Sequence, residues 1–179
     1  KGKESQFGME NIRRRLERVA EAERVGVLAN HLRSTNSVAP PATLSGARER
    51  LLVRVREAFD DEKLDKEVWS APLGETGLVQ VLVIDYPDAM SYVRREMVEE
   101  SDRTGEQWLA FALENLRTIT QPEMTVEAEE GLGLLGCGTG DAYDAARALV
   151  LDKLWPYEAP LGFLASVPTR DALLFYPLE

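Results

Sequence analysis

Apolar residues at Met9, Ile12, Leu16 and Val19 recur at spacings of 3, 4 and 3, which sets them on one helical face and turns Arg13, Arg14 and Glu17 outward. Val25, Leu28 and Leu32 give a second such face, so the pattern predicts an antiparallel helical pair; the loop that follows holds Pro40-Pro41 and no periodicity. Residues 51–56 carry two patterns at once. Leu51, Leu52 and Val55 suit a helix, whereas Val53-Arg54-Val55-Arg56 alternates as a strand does, and the helix is the preferred reading. Residues 60–67 are charged and expected on the surface. At Gly77 the chain enters Leu78-Val79-Gln80-Val81-Leu82-Val83-Ile84, too short for a typical helix, rich in β-branched residues and closed by Pro87, which predicts a buried strand.

Thr104, with Gln107 three residues on, forms a capping-box pattern ahead of Trp108, Leu109, Ala112, Leu113 and Leu116, and predicts a helix over 105–118. Short strands are expected over 124–127 and 132–135. Asp141 then reads as the N-cap of a helix through Leu154, stopped by Pro156. Two last apolar runs, 161–167 and 172–176, flank Pro168-Thr169-Arg170-Asp171 and predict a C-terminal β-hairpin. Strands that return as hairpins imply an α+β fold, with a mixed or antiparallel sheet packed with several helices. Residues 1–44 form the N-terminal helical segment and 45–179 the α+β domain, expected as one compact unit.

Composition narrows the function more by exclusion. A length of 179 residues suits one domain with a sizeable core. One Cys and one His provide neither a four-ligand zinc site nor an internal disulfide, so no metal and no cofactor is expected and the chain reads as reduced and cytoplasmic. No apolar run approaches the roughly 18 residues of a membrane span, and the first residues lack the apolar core of a signal peptide. The net charge of -10 is uneven: residues 1–58 hold 12 Lys and Arg against 7 acids, and residues 59–179 hold 9 against 24. Such halves can attract each other, or one can meet a charged partner.

Each chemical motif has a plain structural counterpart. Gly131-Leu132-Gly133-Leu134-Leu135-Gly136 matches G-x-G-x-x-G, but the later glycines and the acids at Asp141 and Asp144 oppose a phosphate site, so a strand with tight turns is expected. His31 is the sole histidine, on a charged predicted helix, which leaves Ser or Cys without a base. Cys137 between glycines reads as a small buried hydrophobe. Asp141 and Asp144, three apart on the predicted helix, are spaced to share a magnesium ion, although complementing the helix dipole explains both. Asp85 and Asp88 follow the buried strand and are a second carboxylate pair, with Pro87 between them favouring a turn. Arg13, Arg14, Arg15, Arg18 and Arg24, with Arg48, Arg50, Arg54 and Arg56, are candidates for an anion-facing surface. Interleaved Glu10, Glu17, Glu21 and Glu23 and the lack of stacking aromatics favour a solvated face over nucleic acid. Asn115 shares a helix face with Trp108 and Ala112 and must find partners, most simply in a nearby loop. Arg170-Asp171 is expected to staple the terminal turn.

Four segments together resemble the YtpQ-like bacterial family, a domain of unknown function: Met9-Glu10-Asn11-Ile12-Arg13-Arg14, Ala112-Leu113-Glu114-Asn115-Leu116, Gly140-Asp141-Ala142-Tyr143-Asp144-Ala145-Ala146-Arg147 and Val167-Pro168-Thr169-Arg170-Asp171-Ala172-Leu173-Leu174. Family members carry additional strands before the first helix, and usually Ser near Ala146 and Asn near Thr169. The resemblance implies a cytosolic α+β domain without established activity, and it selects Asn115, Asp141, Tyr143, Arg147, Arg170 and Asp171 as polar motif positions, expected to gather around a shallow groove. The chain thus reads as a protein-binding or adaptor module. The alternatives are an acidic immunity- or antitoxin-like inhibitor of a basic partner, and an enzyme using Asp141, Asp144 and Arg170 on a small or phosphorylated substrate.

Overall fold

The computed structural model describes residues 19–21, 23–24, 43–86, 89–129 and 131–178. Apart from residues 19–21 and 23–24, the predicted N-terminal helical pair, with Arg13, Arg14, Arg18 and His31, lies outside the described residues, as does Asp88. Within them the chain is α+β, built on two antiparallel four-stranded sheets.

The ambiguous segment resolves as a strand, against the helical preference. A 3-10 helix at Ser45–Arg50 ends at Leu51, and β1 (Leu51–Glu57) then pairs with β3 (Leu78–Tyr86) over seven consecutive partners, from Leu51 opposite Ile84 to Glu57 opposite Leu78. The alternation was the relevant signal, and the run of buried residues Leu51 to Val55 reflects cover on both faces. The charged stretch is exposed as expected and also forms a short helix, α1 (Glu62–Glu67), whose N-cap Asp61 accepts from the backbone N–H of Lys63 and Leu64. β2 (Ser70–Pro72) and β4 (Ala89–Tyr92) share the other edge of β3, the first beside Val79 to Val81 and the second beside Val83 to Tyr86. After α2 (Arg95–Glu99) comes α3 (Gly105–Ile119), started by the predicted capping box: Gln107 N–H donates to Thr104 Oγ1 and Thr104 N–H to Gln107 Oε1. α3 buries Trp108, Ala112 and Leu116 and packs on β1.

The second sheet runs β5-β6-β8-β7, with β5 (Thr125–Glu129), β6 (Leu134–Cys137), β7 (Phe163–Thr169) and β8 (Ala172–Pro177). The glycine motif belongs to its first hairpin. Gly131 and Gly133 stand at φ 80° and 65°, a left-handed conformation that glycine adopts without steric cost, which is the turn role expected for it. The terminal hairpin closes with Thr169 opposite Ala172, and Pro168 falls where the register shifts, a place where its missing N–H costs no ladder bond.

The single helix predicted from Asp141 to Leu154 does not form. Ala142 takes φ 74°, Asp141 to Asp144 make a turn, a 3-10 helix runs over Ala145–Val150, and only Leu151–Leu154, here α4, is α-helical. Asp141 and Asp144 are therefore not stacked on one helix face. Buried side chains form a large cluster around the first sheet and α3 and a smaller one, Cys137, Leu154, Leu173 and Phe175, inside the second sheet. Ala145, Ala146 and Val150 belong to the large cluster and Leu154 to the small one, so the segment after Asp144 joins them.

Candidate functional site

The turn between β6 and the 3-10 helix holds a buried ionic knot. The side chains of Arg147 and Asp144 are both wholly inaccessible, while that of Asp141 is 37% exposed. Arg147 Nη1 donates to Asp141 Oδ1 and Asp144 Oδ1, both at 2.9 Å, and Nη2 donates to Asp141 Oδ2 at 2.5 Å. Asp144 Oδ1 further accepts from Thr139 N–H at 3.0 Å, Thr139 Oγ1 at 2.9 Å and Cys137 Sγ at 3.4 Å, and its Oδ2 from Gly140 N–H at 3.0 Å. Asp141 Oδ1 accepts from Tyr143 N–H at 2.9 Å, closing the turn. The sequence forces this geometry: a carboxylate inside the protein needs several donors, and the consecutive N–H groups of Thr139 and Gly140, with Gly140 at φ 75°, can both reach one side chain.

The knot sets one guanidinium against two carboxylates, and hydrogen bonds from Thr139, Gly140 and Tyr143 help to hold the excess negative charge. Burial pushes the Asp141 carboxyl up, but the hydrogen bonds from Arg147 and Tyr143 and the Arg147 charge outweigh it and hold the group below the usual aspartate range. Burial likewise opposes the Arg147 charge, and Asp141 more than restores it. Cys137 is pushed up to about 12 by burial and by the hydrogen bond and charge of Asp144, so its thiol is inert at neutral pH. Because Arg147 already occupies the space between the two carboxylates, a shared magnesium ion would have to displace a buried guanidinium.

Beside the knot, Tyr143 Oη donates to Asp85 Oδ1 at 2.8 Å, joining the turn to β3. Burial raises the Asp85 carboxyl, offset in part by that hydrogen bond, and drives the Tyr143 phenol upward with help from the Asp85 charge. Arg170 Nε pairs with Asp171 Oδ2 at 3.2 Å, the expected staple, and the Arg170 carbonyl accepts from Ala145 N–H at 3.2 Å, so the terminal turn abuts the start of the 3-10 helix.

Of the six polar positions expected around a groove, Asp141, Tyr143 and Arg147 assemble with Asp144 and Asp85, and Arg170 and Asp171 adjoin them. Asn115 does not join. Its Nδ2 donates to the carbonyls of Arg48 and Leu51, both at 2.8 Å, anchoring α3 to the entry of β1. A groove lined by all six is overturned by this separation and by the complete burial of Arg147 and Asp144. The other predicted arginines divide: Arg48 and Arg50 stack on Phe111 and Tyr86, at 4.0 and 4.8 Å, whereas register places Arg54 and Arg56 with Asp85, Met90 and Tyr92 on one face of the first sheet. Arg54 and Arg56 are among the anion-facing candidates of the sequence, but Tyr92 is not singled out there; read as a strand, Val53-Arg54-Val55-Arg56 puts both arginines on that face. No family model, curated protein or solved structure matches the chain.

Proposed function

We propose that the chain is a non-enzymatic protein-binding module whose partner seats on the outer face of the second sheet. The observation that carries this reading is the apolar, open character of that face. Cross-strand register aligns Val126 with Gly136 and Leu174, and Leu164 with Tyr176, while the opposite face, with Leu135, Cys137, Leu173 and Phe175, turns into the smaller core. Val126 is 62% exposed, Leu164 67% and Tyr176 41%, and Leu132 at 58% continues the patch into the adjoining turn. Contiguous apolar surface of this kind is a mark of an interaction site.

The partner is a protein with an apolar strip flanked by basic residues. Residues 59–179 carry 24 acids against 9 bases. Two copies would set acidic surfaces against each other, whereas a basic partner gains from the same charges. The YtpQ-like resemblance, which implies no activity of its own, accords with this reading, and neutralisation of a basic target is its inhibitor form. The knot supports it indirectly: Asp141 and Asp144, the carboxylates an enzyme would use, are engaged by Arg147.

Capture from the native cells with tagged wild-type protein and with Leu164→Asp tests it. A stoichiometric basic protein is expected on the wild type, released by raised salt and absent from the variant. Retention by the variant, or a wild type that sediments as a self-associated dimer through this face, would overturn the assignment.

A further inference from the structure

Arg54 is a second buried arginine, and unlike Arg147 it forms no ion pair with a carboxylate among the described residues. It is 8% exposed, and among the described residues its guanidinium donates from Nη1 to Met90 Sδ at 3.5 Å, a weak and neutral acceptor. The ion pairs of the described residues include none to Arg54. Burial lowers its pKa from the ordinary arginine value, and the neighbouring Arg170 opposes its charge further, against weaker support from Tyr92, Tyr143 and Asp171. A buried cation without an ion pair is costly, and the same chain supplies Arg147 with two carboxylates.

The groups around Arg54 include donors beside the carboxylates of Asp171 and Asp85. Tyr92 lies on the same face of the first sheet; its hydroxyl accepts from Arg56 Nη1 at 3.0 Å, which leaves the phenolic proton to donate elsewhere. Arg56 is held for that role by stacking on Phe59 at 3.9 Å and by its Nε donating to the Glu57 carbonyl. Arg170 brings a second guanidinium from the β7–β8 turn, its side chain 23% exposed. We propose that Arg54, Tyr92 and Arg170 form a binding site for a single phosphate group, either inorganic phosphate or the phosphate of a small monoester. Donors supplied by three separate strands and turns suit a tetrahedral oxyanion better than a planar carboxylate, which one guanidinium fork satisfies. Asp171 and Asp85 flank the site and would repel the further charges of a polyphosphate.

This site lies apart from the outer face of the second sheet and does not rest on the protein-binding reading. The test is thermal unfolding and calorimetric titration of the full chain with inorganic phosphate, glycerol phosphate and acetate, each against sodium chloride of equal ionic strength. At about 20 mM phosphate, Tm is expected to rise by roughly 3 °C. The two phosphate sources are told apart by which one binds more tightly. Arg54→Met is expected to fold with a Tm at or above that of the wild type without phosphate, because it removes a buried charge that has no ion pair among the described residues, and to lose the phosphate response. Tyr92→Phe should weaken phosphate affinity several-fold. The proposal is overturned by any of four results: no rise beyond that given by chloride, an equal rise with acetate, an undiminished rise in Arg54→Met, or an Arg54→Met that is destabilised.

Discussion

Arg147 and Arg54 are both buried, yet the chain treats them in opposite ways, and partner count is what separates them. Arg147 spans two carboxylates, one of which also takes two backbone N–H groups and a hydroxyl. Removing a single partner from such an arrangement strands the rest. Asp144→Ala is expected to cost about 3–5 kcal/mol in urea unfolding, because the guanidinium loses one of its two carboxylates where water cannot replace it. A cost near zero would mean that Asp141 alone suffices. Acid acts on the same residues with a definite sign. The Asp141 carboxyl sits below its ordinary value of 3.8 in the folded chain, so the stability it gives is complete above that value and is lost as pH falls through the lower folded one. Asp85 runs the other way: its raised pKa opposes folding while it is ionised, and that opposition fades as it protonates on acidification. Asp141→Asn should therefore flatten the acid limb of a stability profile followed by tryptophan fluorescence, and an unchanged limb would assign acid sensitivity to other groups.

At the scale of elements, local signals decided some segments and long-range contacts decided others. Thr104 and Gln107 report on neighbours three residues apart, and the predicted start of α3 is the observed one. β3 announced itself through its run of β-branched residues. β1 did not, because its strand character depends on pairing with a segment near residue 80, and Leu51, Leu52 and Val55 fit a helix equally well when taken alone. The predicted helix at Asp141 failed for a related reason. Asp141 is a good N-cap by type, but Arg147 and the Tyr143 N–H claim its carboxylate, and Ala142 turns left-handed to let them. The Asp141–Asp144–Arg147 spacing was visible as polar residues, whereas their mutual engagement and the isolation of Asn115 needed coordinates. Gly105 shows how closely α3 is seated. A Cβ there would lie 2.1 Å from Trp69 Nε1, so Gly105→Ala is expected to destabilise by about 1–3 kcal/mol despite the better helix propensity of alanine. Stabilisation on that substitution would show that the Trp69 ring can move aside.

For the whole molecule, the two sheets are unequal partners. The first is covered by α3 and by much of the large core, with Leu51, Val53, Val81, Leu82 and Val83 fully inaccessible. The second rests one face on a core of four buried residues and leaves the other apolar and open. Local opening follows buried contact density, so the second sheet should open without the first. Amide hydrogen exchange is expected to show the greatest protection in β1 and β3, less in β6 and β8, and least in the edge strand β5. The knot ties the sheets together through Arg147, Asp144 and the backbone of Thr139 and Gly140 directly after β6. Asp144→Ala should consequently lower protection in β6 and β8 by more than in β1 and β3. Uniform loss across both sheets would mean that they unfold as one unit, and the knot would then be a part of a single core instead of the link between two.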